Sequence, residues 1–236
     1  MNADRDDAEF DELLDDFETL TSDGRFVGAK VILREIEARV GENDPEAFYA
    51  RGLLAWRRDG AGAEAEEQLR RAVEADPDFS DARYALGSLY DLEGNFEGMR
   101  TQLLEVLRLD ALQAEPVDRE TLDEIEAIAR ECLAVLPEEF RARLENVPVV
   151  LEERPHEALV ADGFDPRALG LFEGLEDSRQ HDLPSAPTRI VLYYSNLVAA
   201  FPDPDDLAEE IEVTLFHEIG HFFGLDEEEV AELGLA

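Results

Sequence analysis

Residues 217–227 read His217-Glu218-Ile219-Gly220-His221-Phe222-Phe223-Gly224-Leu225-Asp226-Glu227. Just upstream, Asp203-Pro204-Asp205-Asp206 starts a helix in which Leu207, Ile211, Leu215, Ile219 and Phe222 recur at helical spacing. Residues four apart on a helix stand one above the other, so His217 and His221 can present both imidazoles to one metal ion. This is the HExxH pattern, and its chemistry is that of zinc with Glu218 as the base for a metal-activated water. Gly224 lies three residues past the second histidine, where a positive φ turns the chain sharply. Such a turn carries Glu227 back toward the metal as a carboxylate ligand, with Asp226 the alternative in the same acidic run.

Outward from this helix the texture is mixed. Leu122, Ile125, Ile128 and Ala129 line one face of a helix running to about Val135. Pro137-Glu138-Glu139 reads as a fresh helix start, with Pro at the first position and acids in the first turn. Val147–Leu151 and Arg189–Tyr194 are rich in β-branched and aromatic residues and read as strands. Between them runs a long stretch, Glu152–Thr188, punctuated by Gly and Pro. Loops of this length inside a compact domain are often functional. It contains Leu169-Gly170-Leu171-Phe172-Glu173-Gly174, in which Leu171–Glu173 suits a short edge strand.

From about Leu122 to Ala236 the chain resembles the minimal bacterial zincin-like metallopeptidase family. The blocks that carry the resemblance are Leu136-Pro137-Glu138-Glu139-Phe140 with Val147, Leu169–Gly174, Arg189-Ile190-Val191-Leu192-Tyr193, and His217–Glu227. It implies a compact zincin fold, one zinc per chain on His217, His221 and Glu227, and Glu218 as general base in peptide-bond hydrolysis. Two residues depart from the family pattern. Glu227 stands where the family has Asp, and Phe172 where it has Tyr. The methionine turn of the larger metzincins is also missing, since no Met follows Met99.

The first half reads as helices in pairs. Asp7–Thr21 and Arg25–Val40 flank Ser22-Asp23-Gly24, Pro45–Arg58 and Ala63–Ala75 flank Asp59-Gly60-Ala61-Gly62, and Phe79–Glu93 and Phe96–Leu109 flank Gly94-Asn95. A period of about 34 residues is that of tetratricopeptide repeats. Leu86-Gly87, Tyr90 and Gly94 fit the pattern in the third pair. Gly52, Ala65, Leu69, Ala72 and Pro77 fit it in the second, with one inserted residue. This half therefore resembles a short, degenerate tetratricopeptide array, against which a plain three-hairpin bundle is the alternative. Ala114-Glu115-Pro116 reads as a linker. The expected architecture is α+β, with a helical repeat domain over 1–114 and a zincin-like domain over 115–236.

The 236 residues hold 59 acids against 21 bases, a formal net charge of -38, and Lys30 is the single lysine. Such a polyanion excludes nucleic-acid backbones and anionic membranes as partners. Hydrophobic residues make up 44% of the chain and fall in periodic patterns, which argues against disorder. With Cys132 alone there is no disulfide framework. No apolar run approaches the ~20 residues of a spanning helix, and the acidic N-terminus lacks the marks of a signal peptide, so a cytoplasmic location is expected. After Arg189 come 12 acids and no further base, a field that favours cations and basic peptides.

Secondary candidates are His156 and His181 as metal neighbours, and Tyr193, Tyr194 or Arg189 as oxyanion donors. Cys132 reads as packing, and Trp56 and Tyr90 as repeat core. The functional expectation is a zinc-dependent endopeptidase whose helical half recruits a peptide or protein substrate or a protein partner. The alternatives are a non-catalytic adaptor with a structural or vestigial zinc site, and a metal-dependent hydrolase of another substrate.

Overall fold

The computed structural model describes residues 3–174, 188–226 and 229. The architecture is α+β, and the chain forms two compact units. One holds Met1–Leu112 together with Glu157–Gly163; the other holds Gln113–His156 and Phe164–Ala236.

The first unit is built from helices α1 (Ala3–Ser22), α2 (Phe26–Val40), α3 (Pro45–Asp59), α4 (Ala63–Ala75), α5 (Ser80–Leu92) and α6 (Phe96–Gln113). Local chemistry sets their ends. Asp44 caps α3 by accepting from the Glu46 N–H, and Pro45 follows at the first turn, where its missing N–H costs nothing. Phe17, Ile36, Phe48, Leu53, Leu69, Leu86 and Leu89 form one continuous core. The helices of the second and third hairpins meet at glycines one repeat apart. A Cβ on Gly52 would stand 2.7 Å from Leu69 Cγ, and one on Gly87 would stand 2.8 Å from Leu103 Cδ2. Glycine there permits a helix-to-helix approach that any side chain would prop open. The recurrence agrees with helical repeats.

Part of the long middle stretch also belongs to this unit. Helix α9 (Glu157–Ala161) buries Val160 completely against Met99 and Leu103 of α6, and Arg100 Nε donates to the Ala161 carbonyl at 2.9 Å. Gly163, at φ +101, then turns the chain away.

The second unit contains α7 (Arg119–Val135), α8 (Glu138–Arg143), β1 (Val149–Glu152), β2 (Gly170–Glu173), β3 (Arg189–Tyr193), α10 (Tyr194–Ala200) and α11 (Pro204–Phe222). The sheet order is β1-β3-β2, with β1 parallel and β2 antiparallel to the central strand. Ile190, Val191 and Leu192 of β3 are fully buried, as expected of a central strand covered on both faces. Ile211, Leu215, Ile219 and Phe222 of α11 share a core with Ile190, Leu192 and the α7 residues Ile125, Ala129 and Cys132. Burial pushes the Cys132 thiol upward and keeps it an apolar packing group.

Two local expectations differ from what is seen. Pro137 is the N-cap of α8 rather than its first helical residue. Tyr194 opens α10 instead of ending β3. Its β propensity loses because the ladder has no partner there: β1 ends opposite Tyr193 and β2 begins opposite Leu192. Arg189 is committed across the sheet, with Nε on Glu173 of β2 at 2.5 Å and Nη1 on Glu152 of β1 at 2.6 Å. It is thus an ion-pair residue rather than a donor for chemistry. No helix among the described residues is long and apolar enough to cross a membrane.

Candidate active site

Helix α11 is held at both ends. Asp203 accepts from the N–H groups of Asp205 and Asp206, with Pro204 in the first turn. At the other end Gly224 takes φ +83, its N–H bonds to the His221 carbonyl at 3.0 Å, and the Leu225 N–H reaches the Gly220 carbonyl at 3.1 Å. These are the paired 5→2 and 6→1 bonds of a Schellman motif. The motif also serves the second histidine. Leu225's carbonyl lies 3.1 Å from His221 Nδ1, and a carbonyl can only accept, so Nδ1 carries the proton. In the neutral ring Nε2 then keeps its lone pair, as metal ligation requires.

That nitrogen faces His217. The two Nε2 atoms are 2.9 Å apart, with the rings nearly perpendicular. Two zinc–imidazole bonds of about 2.0–2.1 Å at a tetrahedral angle need nitrogens about 3.3 Å apart. The pair is within a few tenths of an ångström of that spacing, so the donor set fits a zinc ion. Among the described residues no group of three His, Cys, Asp or Glu side chains forms a metal-binding cluster. Glu227 lies outside the described residues, as does His181. Asp226 is exposed and otherwise engaged. Its Oδ1 accepts from the Glu229 N–H at 3.0 Å while the Asp226 N–H donates to Glu229 Oε2 at 3.0 Å, the reciprocal pattern of a capping box.

Glu218 is only 7% exposed and borders a cavity of about 500 Å³. One wall of the cavity is the segment Phe164, Ala168–Phe172; the other is the α11 face of Glu210, Val213, Thr214, His217, Glu218 and His221. Gly170 explains how β2 comes so near. A Cβ there would stand 2.7 Å from Thr214 Cγ2 and 3.2 Å from Glu218 Oε1. The glycine of the Leu-Gly-Leu-Phe-Glu-Gly block is therefore the place where strand backbone meets the buried carboxylate. Phe172 packs against Phe222 with ring centroids 5.8 Å apart, so this side chain serves the core as well as the cavity.

The remaining sequence candidates among the described residues are not brought to the cavity. His156 is exposed and does not line it. Tyr193 is buried beside Phe164, and Tyr194 sits on α10; neither borders the cavity. Burial, with Glu152, Glu173 and Glu218 nearby, pushes the Tyr193 phenol well above its ordinary value, so it stays protonated.

Sequence reasoning missed Asn196. It is 5% exposed, and its Nδ2 donates to the carbonyls of Pro166 at 3.0 Å and Ala168 at 2.8 Å, while Oδ1 accepts from Arg154 Nη1 at 2.9 Å. One amide thereby pins the cavity's loop wall. The only sequence signal was a polar residue inside the apolar run after β3. Asn196→Ala is expected to cost about 2–4 kcal/mol, because it leaves a buried carbonyl at Pro166 and a part-buried one at Ala168 without their donor. Urea unfolding of parent and variant measures this, and a change below 1 kcal/mol would show that water replaces the amide there.

Residues 144–235 match the family model of zincin-like metallopeptidases. The match begins just before β1 and takes in the whole sheet and α11. It supports a peptidase-type enzyme in general, zinc as the family's metal, and peptides or proteins as its substrates. Comparison with curated proteins finds no match.

Proposed function

We propose that this protein is a zinc-dependent endopeptidase in which His217, His221 and Glu227 hold one zinc ion and Glu218 is the general base. The observation that carries the reading is the convergence of the two Nε2 atoms beside a buried carboxylate on the wall of a cavity. The engagement of Asp226 with Glu229 favours Glu227 over Asp226 as the carboxylate ligand.

A zinc ion held by these residues would supply Lewis acidity toward the scissile carbonyl and a water acidified toward neutrality. The protein's own residues do the rest. A Glu218 carboxylate oxygen takes the proton of the attacking water and returns it to the departing amine nitrogen. Burial of Glu218 beside the Gly170 backbone holds that oxygen in place and limits competing solvent. The Leu225 carbonyl fixes the His221 tautomer. The apolar walls from Phe164 and Leu169–Phe172 exclude water around a bound chain. The tetratricopeptide-like hairpins recruit the substrate or a protein partner, as stacked helical repeats offer extended binding surfaces.

The test is metal analysis joined to hydrolysis. Purified protein is expected to hold about one zinc per chain and to cleave members of a mixed peptide library. A chelator should abolish cleavage and added zinc restore it. Stoichiometric zinc with no hydrolysis across the library would replace the enzyme reading with the adaptor one.

A further inference from the structure

The cavity holds one charged group that the chemistry does not use. Glu210 lies two turns before His217 on the same face of α11 and lines the cavity beside Val213 and Thr214. We propose that Glu210 makes this cavity a subsite for a basic side chain, so that the preferred substrates are peptides with Lys or Arg within three residues of the cleaved bond. The inference rests on the peptidase reading above.

The geometry comes from helix and strand dimensions. Seven residues of helix separate Glu210 from His217, about 10 Å along the axis. An extended peptide advances about 3.3 Å per residue. A bond seated at His217 and Glu218 therefore brings a residue up to three places away level with Glu210.

Electrostatics selects the sign. Glu210 is half-buried, and its Oε1 accepts a 3.4 Å hydrogen bond from the neutral Thr214 hydroxyl. Among the described residues that line the cavity there is no Lys or Arg. A carboxylate partly withdrawn from water beside apolar walls is stabilised by an incoming cation and destabilised by an incoming anion. The chain supplies no competing cation after Arg189. An apolar wall also suits the methylene stem of Lys or Arg, which packs while its head reaches the carboxylate.

The experiment uses zinc-loaded full-length protein and one peptide series, with Lys, Leu or Glu placed at each of three positions on either side of the cleaved bond. Cleavage is compared in the parent, Glu210→Gln and Glu209→Gln; Glu209 is exposed on the same helix and changes net charge equally. Binding of the same peptides to Glu218→Gln and to Glu218→Gln/Glu210→Gln is followed by fluorescence anisotropy. A Lys-over-Leu preference of roughly tenfold is expected at one position, the scale of a hydrogen bond to a charged group. Glu210→Gln should erase it in both cleavage and binding, and Glu209→Gln should preserve it. If Glu209→Gln lowers the preference as much, or if binding shows no dependence on Glu210, the subsite is overturned even though peptides are cleaved. Selective binding without any cleavage would support the subsite and overturn the peptidase reading alone.

Discussion

Glu218→Gln is expected to lower peptide hydrolysis by about 10²–10⁴-fold, the range removed with a positioned acid–base group. Zinc content should be unchanged, because Glu218 is not one of the proposed ligands and glutamine preserves its volume beside them. Glutamine keeps the volume that lies beside Gly170, so the fold should be preserved and the loss should fall on the chemical step. Steady-state kinetics with zinc analysis on the same preparation separates these effects. Parent-like cleavage by a zinc-loaded Glu218→Gln protein would falsify the general-base role.

The second large effect is on the metal. His221→Ala should weaken zinc binding by more than about 100-fold, since even outer-shell changes act on the 10–100-fold scale. Cleavage should disappear with it. His217→Ala is expected to do the same by another route. It removes one ligand but leaves the bond between His221 Nδ1 and the Leu225 carbonyl. The remaining His221 imidazole therefore keeps its orientation but lacks the second nitrogen that the proposed site needs. Zinc titration with a competing chelator, with cleavage followed on the same samples, provides the reading. Parent-like zinc affinity in either variant would remove that histidine from the ligand set.

Much of the second unit was legible because its signals are local. The α11 pattern, with Asp203 and Pro204 before it and Gly224 after it, needs only helix periodicity and capping chemistry. The same is true of the paired helices, whose ends carry Gly24, Gly60 and Gly94 at positive φ. Strand boundaries were less legible. Nothing in Arg189–Tyr194 says that Tyr194 has no partner to pair with, since that depends on where β1 ends and β2 begins. Arg189 was ambiguous for a related reason. Its two carboxylate partners, Glu173 and Glu152, are 16 and 37 residues away in sequence.

The sequence by itself determined the helical hairpins, the histidine pair at one turn's spacing, and the glycine that ends the helix beyond it. All of these follow from interactions within a few residues, where side-chain type and spacing are sufficient causes. Tertiary structure alone decided that α9 would leave its neighbours in sequence and bury Val160 on α6. It also decided that Gly170 would lie against Glu218, that Asn196 would pin Pro166 and Ala168, and that Glu210 would face the same cavity as the histidines. These are contacts between distant segments. They exist only once burial of apolar faces has selected which sheet edge meets which helix, and no local pattern encodes that choice.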